Sequence, residues 1–301
     1  MAFTPEDKAM LEGYIAKARP FKDMFSVEGK VALVTGGSSG LGFDITLRLL
    51  QGGARVVMAS NSRIEEEAAL DLLQKEGFGD KVAFCFTDVR HEEEVETLVK
   101  FTVEKFGSLD IFVNSAAIWN YAKIYDLPKE DLALIFETNV YGAFYGVKHV
   151  SRYMKENGIH GKMVLISSNS PIVPYPVFGG YPHYASSKAA VMGLVTEAAK
   201  ELKRYGINVN SIAPGGMVTP GAAGNLASEG LTEEQQDEFY DELMVWQVDG
   251  QLPVDDVGIM AYTFCTPVAD SITGETVLVD GGASHNIVKY QAAIDAYPPE
   301  D

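Results

Sequence analysis

Val31-Ala32-Leu33-Val34-Thr35-Gly36-Gly37-Ser38-Ser39-Gly40-Leu41-Gly42 is the stretch that decides the fold of this chain. Its first five residues form a short apolar, β-branched run, the composition of a strand buried on both faces. The glycines at 36, 40 and 42 permit a tight turn, and from about Leu41 apolar residues recur three and four apart, the period of a helix. A strand that enters a helix through glycine is the first part of a strand–helix–strand crossover, which belongs to a parallel sheet covered by helices.

The same alternation continues outward from this stretch. Strands are predicted at Val31 to Thr35, Arg55 to Ala59, Val82 to Phe86, Ile111 to Asn114, Met163 to Ser167, Ile207 to Ser211 and Thr276 to Val279. Helices are predicted to begin near Leu41, Ile64, Glu92, Lys129, His183 and Val254. With right-handed crossovers this order gives a single α/β domain, a doubly wound sheet of seven parallel strands, over residues 30–285. Residues 1–29 precede it as an extension. Within that extension Asp7 to Arg19 can form a helix with Met10, Leu11, Tyr14, Ile15 and Ala18 on one side, suited to cover a sheet edge or to contact a second subunit. Residues 216–250 contain no Lys or Arg and read as a helical lid, and residues 286–301 as a tail.

The 301 residues carry a formal net charge of -18, a negative field that repels polyanions, so nucleic acid and anionic membranes are poor partners. No apolar run approaches membrane-spanning length, and the amino terminus lacks a basic stretch followed by an apolar one, so a cytoplasmic protein without a membrane is expected. Cys85 and Cys265 sit in apolar contexts without metal-ligand spacing, which reads as reduced core thiols and no metal site.

Chemistry enters at Tyr184-Ala185-Ser186-Ser187-Lys188, where the four-residue spacing stacks a phenol and an ammonium on one helix face. Upstream, a strand ends in Ser167-Ser168. Taken with the glycine turn, these features resemble the short-chain dehydrogenase/reductase family from about Lys30 to His285. The resemblance implies a Rossmann-type fold, an NAD(P)(H)-dependent oxidoreductase interconverting a secondary alcohol and a ketone, and a homo-oligomer, a dimer or tetramer. It makes Tyr184 the acid/base and gives Lys188 two tasks, assisting Tyr184 and holding the nicotinamide ribose. The second serine, Ser168, positions the carbonyl. Asn139, in Thr138-Asn139-Val140, supports a water that relays protons to the lysine; a mid-helix asparagine is otherwise mildly unfavourable.

For the cofactor, the chain matches the family's TGxxxGxG pattern, with Gly36, Gly40 and Gly42 forming the turn and Ser38, Ser39 and Leu41 completing the cradle at a helix N-terminus. Asp88 and Val89 match the adenine contacts, and Asn114 with Ala116 the segment after the fourth strand. There the family's NNAG reads Asn114-Ser115-Ala116-Ala117, with a methyl group in place of a glycine. Pro214, Gly215, Met217 and Thr219 match the family's PGxxxT nicotinamide segment. Dinucleotide choice falls on Ser60-Asn61-Ser62-Arg63. Ser60 stands where an acid would bind a ribose 2'-hydroxyl and Asn61 where an arginine would accept a 2'-phosphate. Arg63 could reach a phosphate, yet Glu65, Glu66 and Glu67 oppose a second negative charge, so NAD(H) is favoured with NADP(H) not excluded.

Three segments, residues 118–121, 171–183 and 216–250, should wall the substrate pocket; none contains Arg or Lys. Trp119, Tyr175, Phe178 and Trp246, with Ser170 as a polar contact, favour a bulky neutral small molecule, a steroid first. The amino-terminal extension, the acidity and the apolar insertion look like bacterial 20β-hydroxysteroid dehydrogenases. A polyol or ketose dehydrogenase, using Asn120, Asn169 and Gln247, is the alternative. A non-catalytic dinucleotide sensor on the same fold is the reading from another class.

Overall fold

The computed structural model describes residues 3–173, 181–219 and 252–285. Seven strands, β1 (Val31–Thr35), β2 (Arg55–Ser60), β3 (Val82–Phe86), β4 (Ile111–Asn114), β5 (Lys162–Ile166), β6 (Asn208–Pro214) and β7 (Thr276–Val279), form one parallel sheet in the order β3-β2-β1-β4-β5-β6-β7. From β1 the chain winds outward through β2 to β3, then returns to β4 on the other side. The strand order therefore reverses between β1 and β4, the point where a doubly wound sheet opens a crevice at its C-terminal edge.

The period-two alternation of the strands divides the core. Ala32 and Val34 face one layer with Ile45, Leu49, Val257 and Phe264, whereas Val31 and Leu33 face the other with Leu98, Val150, Val191 and Val195. The first layer is built by α3 (Gly40–Gln51) and α4 (Arg63–Lys75). The second is built by α5 (Glu92–Phe106), the segment from α6 (Lys129–Phe136) to α7 (Gly142–Glu156), and α8 (Pro182–Leu202). Helix α9 (Val254–Cys265) packs on α3 and completes the first layer. Burial in this core pushes the Cys265 thiol up to about 12, so it behaves as a packed apolar group.

Five predicted strands start where the structure starts them, and the other two shift by one residue; β6 runs on to Pro214 because it pairs with β7 as far as Val279. Between α6 and α7 the sequence pattern shows no interruption, but residues Glu137–Tyr141 form a π-helical turn around Asn139. At the amino terminus α1 (Pro5–Lys17) begins at Thr4, whose hydroxyl and the Asp7 carboxylate cap it reciprocally. A one-turn helix, α2 (Phe21–Met24), follows. No residue of α1 is buried, whereas Val27, later in the same extension, joins the core. After it the chain is tied down by Arg19 on Asp270 at 2.8 Å and by Val27 and Gly29 on the carbonyls of Gly52 and Gly53. Among the described residues no helix is long and apolar enough to cross a membrane, and no group of three or more His, Cys, Asp or Glu is placed to hold a metal ion.

Candidate active site

At the strand-order reversal lies a cleft of about 670 Å³, walled by the loops that leave β1, β2, β3, β4, β5 and β6. The glycine turn forms its floor. Gly36 has φ +66, and a Cβ there would lie 2.8 Å from the backbone nitrogen of Ala116, while a Cβ on Gly42 would lie 1.9 Å from the Gly36 carbonyl oxygen. These positions admit only glycine, because the turn folds back on itself and against the β4 loop. Ser39, Gly40 and Leu41 then present the first turn of α3 to the cleft. Thr219 closes over them, 3.5 Å from where a Gly40 Cβ would stand. An open helix N-terminus at the base of a long cleft suits the phosphates of a dinucleotide.

Of the residues singled out for the cofactor, Ser60, Asn61, Asp88, Val89, Ala116, Pro214, Gly215, Met217 and Thr219 line the cleft together with the glycine turn. The remaining four do not line it. The Asn114 side chain accepts from Thr35 Oγ1 at 3.2 Å behind the wall, and Ser62 caps α4 through the Glu65 N–H. Ser38 donates to Glu65. Arg63 pairs with Glu66 at 2.7 Å and lies 4.6 Å over the Phe86 ring. Ala117, which replaces the family glycine, is exposed in the cleft wall, so its methyl group meets open space. Asp88 is held by Arg90, whose Nε sits 3.0 Å from both carboxylate oxygens; that hydrogen bonding keeps the Asp88 carboxyl below its usual range. Arg90, Thr87, Leu134 and Thr138 also line the cleft, and sequence reasoning gave none of them a place there; Glu65, expected to oppose a second negative charge, lines it too. The fork of Arg90 on Asp88 could have been found, since the two residues stand two apart after a strand end.

Tyr184 in the first turn of α8 and Lys188 in the second emerge into the same cleft, with Lys188 Nζ 5.7 Å from the Tyr184 ring centroid. Lys188 is 3% exposed and donates to the Ile166 carbonyl at 2.9 Å. Burial lowers its pKa to about 8, because a buried ammonium loses its hydration. The two serines at the end of β5 separate by their bonds. Ser167 Oγ donates to the Lys188 carbonyl at 2.9 Å, so its proton is used to tie β5 to α8. Ser168 Oγ accepts the Ser170 N–H at 3.1 Å and keeps its own proton to give. Asn139 sits on the π-helical turn, where its amide exchanges two bonds of 2.9 Å with the Ile118 backbone and donates to Ser187 Oγ at 3.0 Å. These bonds fix the loop after β4 to α8, and they are where the side chain's hydrogen bonds go. A π-helical turn at such a junction is a recurrent mark of a functional site.

On the substrate side, ring contacts run from Trp119 to Tyr121 at 5.2 Å, Tyr121 to Tyr181 at 5.7 Å, and Tyr181 to Tyr184 at 5.6 Å. His183, at the end of a segment expected to wall the pocket, is 2% exposed; its Nε2 donates to Asn120 Oδ1 at 2.6 Å, and burial lowers its pKa. Asn120 in turn donates to Asp131 at 2.9 Å. Ser170 does not line the cleft, and its Oγ is buried without a hydrogen-bond partner. Tyr175, Phe178 and Trp246, most of the predicted lid at 216–250, and the tail at 286–301 lie outside the described residues.

A parallel sheet with a glycine turn at its crevice and a tyrosine–lysine helix beside it defines an oxidoreductase that works on a dinucleotide. Residues 30–230 match the family model described as short chain dehydrogenase, and the chain belongs to that family. It is 36% identical over 261 residues to (+)-borneol dehydrogenase 2 of Salvia officinalis, covering 84% of this chain and 89% of that one. It is 31% identical over 264 residues to L-2,3-butanediol dehydrogenase of Corynebacterium glutamicum, covering 85% and 99%. Among solved structures it is similar to an actinorhodin polyketide ketoreductase variant with NADPH, at TM-score 0.77 and 30% identity over 85% of this chain and 97% of that one. The chain is thus an oxidoreductase of the short chain dehydrogenase family.

Proposed function

We propose that this oxidoreductase interconverts a secondary alcohol and a ketone on a bulky neutral substrate, with NAD(H) as its dinucleotide. The observation that carries this reading is Tyr184 beside a buried Lys188, both opening into the cleft over the glycine turn. When bound, the dinucleotide supplies or accepts the hydride. Tyr184 gives its phenolic proton to the oxygen that becomes an alkoxide, or takes it back in alcohol oxidation. The Lys188 ammonium stabilises the phenolate and serves the nicotinamide ribose. Ser168 donates a hydrogen bond to the carbonyl oxygen and so orients it. Asn139 acts as a positioning residue for the proton path, through the loop and helix that it joins.

Trp119 and Tyr184 in the cleft wall, linked by ring contacts through Tyr121 and Tyr181, support a bulky neutral substrate, because they bring aromatic area to the reacting end. A steroid ketone, as in the 20β-hydroxysteroid dehydrogenases, remains the first choice, although the relatives above are named for borneol and butanediol. The polyol reading finds support in the butanediol dehydrogenase, but Asn120 is committed to His183 and Asp131, and Asn169 donates to Asp280 at 3.2 Å. NAD(H) is favoured by Glu65 in the cleft wall and by Arg63 being held on Glu66, even though the ketoreductase neighbour carries NADPH. We further read the protein as a homo-oligomer. Initial rates of NADH and NADPH oxidation with a steroid 20-ketone, a bicyclic monoterpene ketone and a ketose test the proposal. Turnover of the ketose alone would transfer the reading to the polyol class, and no turnover of any carbonyl would favour a sensor.

A further inference from the structure

The position that the dinucleotide-binding sheet reserves for an acid, the end of β2, holds Ser60, which is too short to grip a ribose diol. The structure fills the gap from elsewhere. Glu65, in the first turn of α4, lines the cleft, and its Oε2 accepts from Ser38 Oγ at 3.0 Å and from Ser60 Oγ at 3.3 Å. These donors come from the glycine turn and from the end of β2, and they hold the carboxylate between the two segments. Ser60 is itself fixed, its Oγ accepting the Ser62 N–H at 3.1 Å, and Ser62 Oγ accepts the Glu65 N–H at 3.3 Å. Both serine protons land on Oε2, and no hydrogen bond among the described residues engages Oε1.

The cations near this carboxylate are committed. Arg63 is paired with Glu66 and stacked on Phe86, and Arg90, the cation in the cleft wall on this side, is forked onto Asp88. We propose that Glu65 is the specificity-determining residue for the dinucleotide: helix α4, in place of the strand end, supplies the carboxylate that receives the adenosine ribose hydroxyls. The inference rests on the NAD(H) reading above. Two hydroxyl donors on adjacent carbons match one carboxylate, and a charge-assisted hydrogen bond of this kind is among the strong ones. A 2'-phosphate would bring about two negative charges against that carboxylate, and the committed arginines offer it no partner.

Fluorescence titration of the full chain with NADH, NADPH and an NADH analogue lacking the adenosine 2'-hydroxyl tests the assignment without reference to turnover. The wild-type protein should bind NADH tighter than either other ligand, by on the order of tenfold for the deoxy analogue. Glu65→Gln should lose on the order of tenfold for NADH, gain for NADPH, and no longer distinguish NADH from the deoxy analogue. Glu65→Asp, which keeps the charge on a shorter stem, should still reject NADPH while losing its grip on the 2'-hydroxyl, and thermal melting checks that both variants fold. A wild type that prefers NADH, with Glu65→Gln retaining the wild-type ratio among the three ligands, overturns the role of Glu65 and leaves the NAD(H) reading standing. A wild type that prefers NADPH overturns the reading and the inference together.

Discussion

At Tyr184 and Lys188 the chemistry and the stability of the fold pull in opposite directions, and variants can separate them. Tyr184→Phe removes one proton and little volume, so dinucleotide affinity should stay nearly unchanged while turnover falls at least about a hundredfold, the usual loss for a general acid. Initial rates and a fluorescence titration check this, and a variant retaining most of its activity would take Tyr184 out of the mechanism. Lys188 has a folded pKa of about 8 against an ordinary 10.5, so between those values the unfolded chain binds more protons and stability rises with pH. Below about pH 8 both states carry the proton, and the full burial penalty, on the order of 3 kcal/mol, is present. Lys188→Met keeps the volume and removes the charge, at the loss of one hydrogen bond to Ile166 worth about 1 kcal/mol. Its melting temperature at pH 7 should therefore exceed that of the wild type and lose the rise above pH 8, while dinucleotide binding weakens. A lower melting temperature would show that Lys188 is a structural group first.

Among the elements, the glycine turn makes the sharpest demand on sequence. Gly42→Ala places a methyl group 1.9 Å from the Gly36 carbonyl oxygen, a clash between backbone neighbours that no rotamer relieves. The variant should lose about 2 kcal/mol of stability, within the range for overpacking, and bind dinucleotide far more weakly because the turn has opened. Gly193→Ala in α8 is the control. A Cβ there meets nothing within 4 Å, so denaturant unfolding should show the same stability or a gain of up to about 1 kcal/mol. If both variants behave alike, glycine content rather than turn geometry governs the effect. The same turn explains why so much was legible in the sequence: β1, β3, β4 and β7 announce themselves by apolar runs, and Gly36 to Gly42 by composition. The π-helical turn at Asn139 was not legible, since it is set by bonds to Ile118, 21 residues away. Arg90 was missed as a cleft residue, and Glu65 was not separated from Glu66 and Glu67, for a related reason, because local pattern does not record which face of a helix or loop turns to a crevice. The bond of His183 to Asn120 was not legible either, because it joins α8 to the β4 loop across 63 residues.

Across the whole molecule, net charge and apolar surface compete over whether copies associate. Each chain carries -18, so two copies repel, yet α1 leaves Tyr14 61% and Ile15 77% exposed, and Tyr141 and Phe144 at the start of the α7 region are about half exposed. Because no residue of α1 is buried among the described residues, we propose that its apolar side is a surface on which two copies meet. Apolar contact between like-charged bodies has a characteristic salt response. Screening shortens the repulsion and leaves burial of apolar area intact, so the oligomer should tighten between about 20 mM and about 500 mM salt, as the Debye length falls from roughly 20 Å to roughly 4 Å. Sedimentation velocity on the full chain over a dilution series measures this directly. A chain starting at Ala18 should keep its melting temperature, since no α1 residue is buried, and should dissociate at lower dilution than the full chain. Equal association of the two chains would assign assembly to the exposed α7 face instead, and an oligomer that loosens with added salt would mean that ion pairs rather than apolar contacts hold the subunits together.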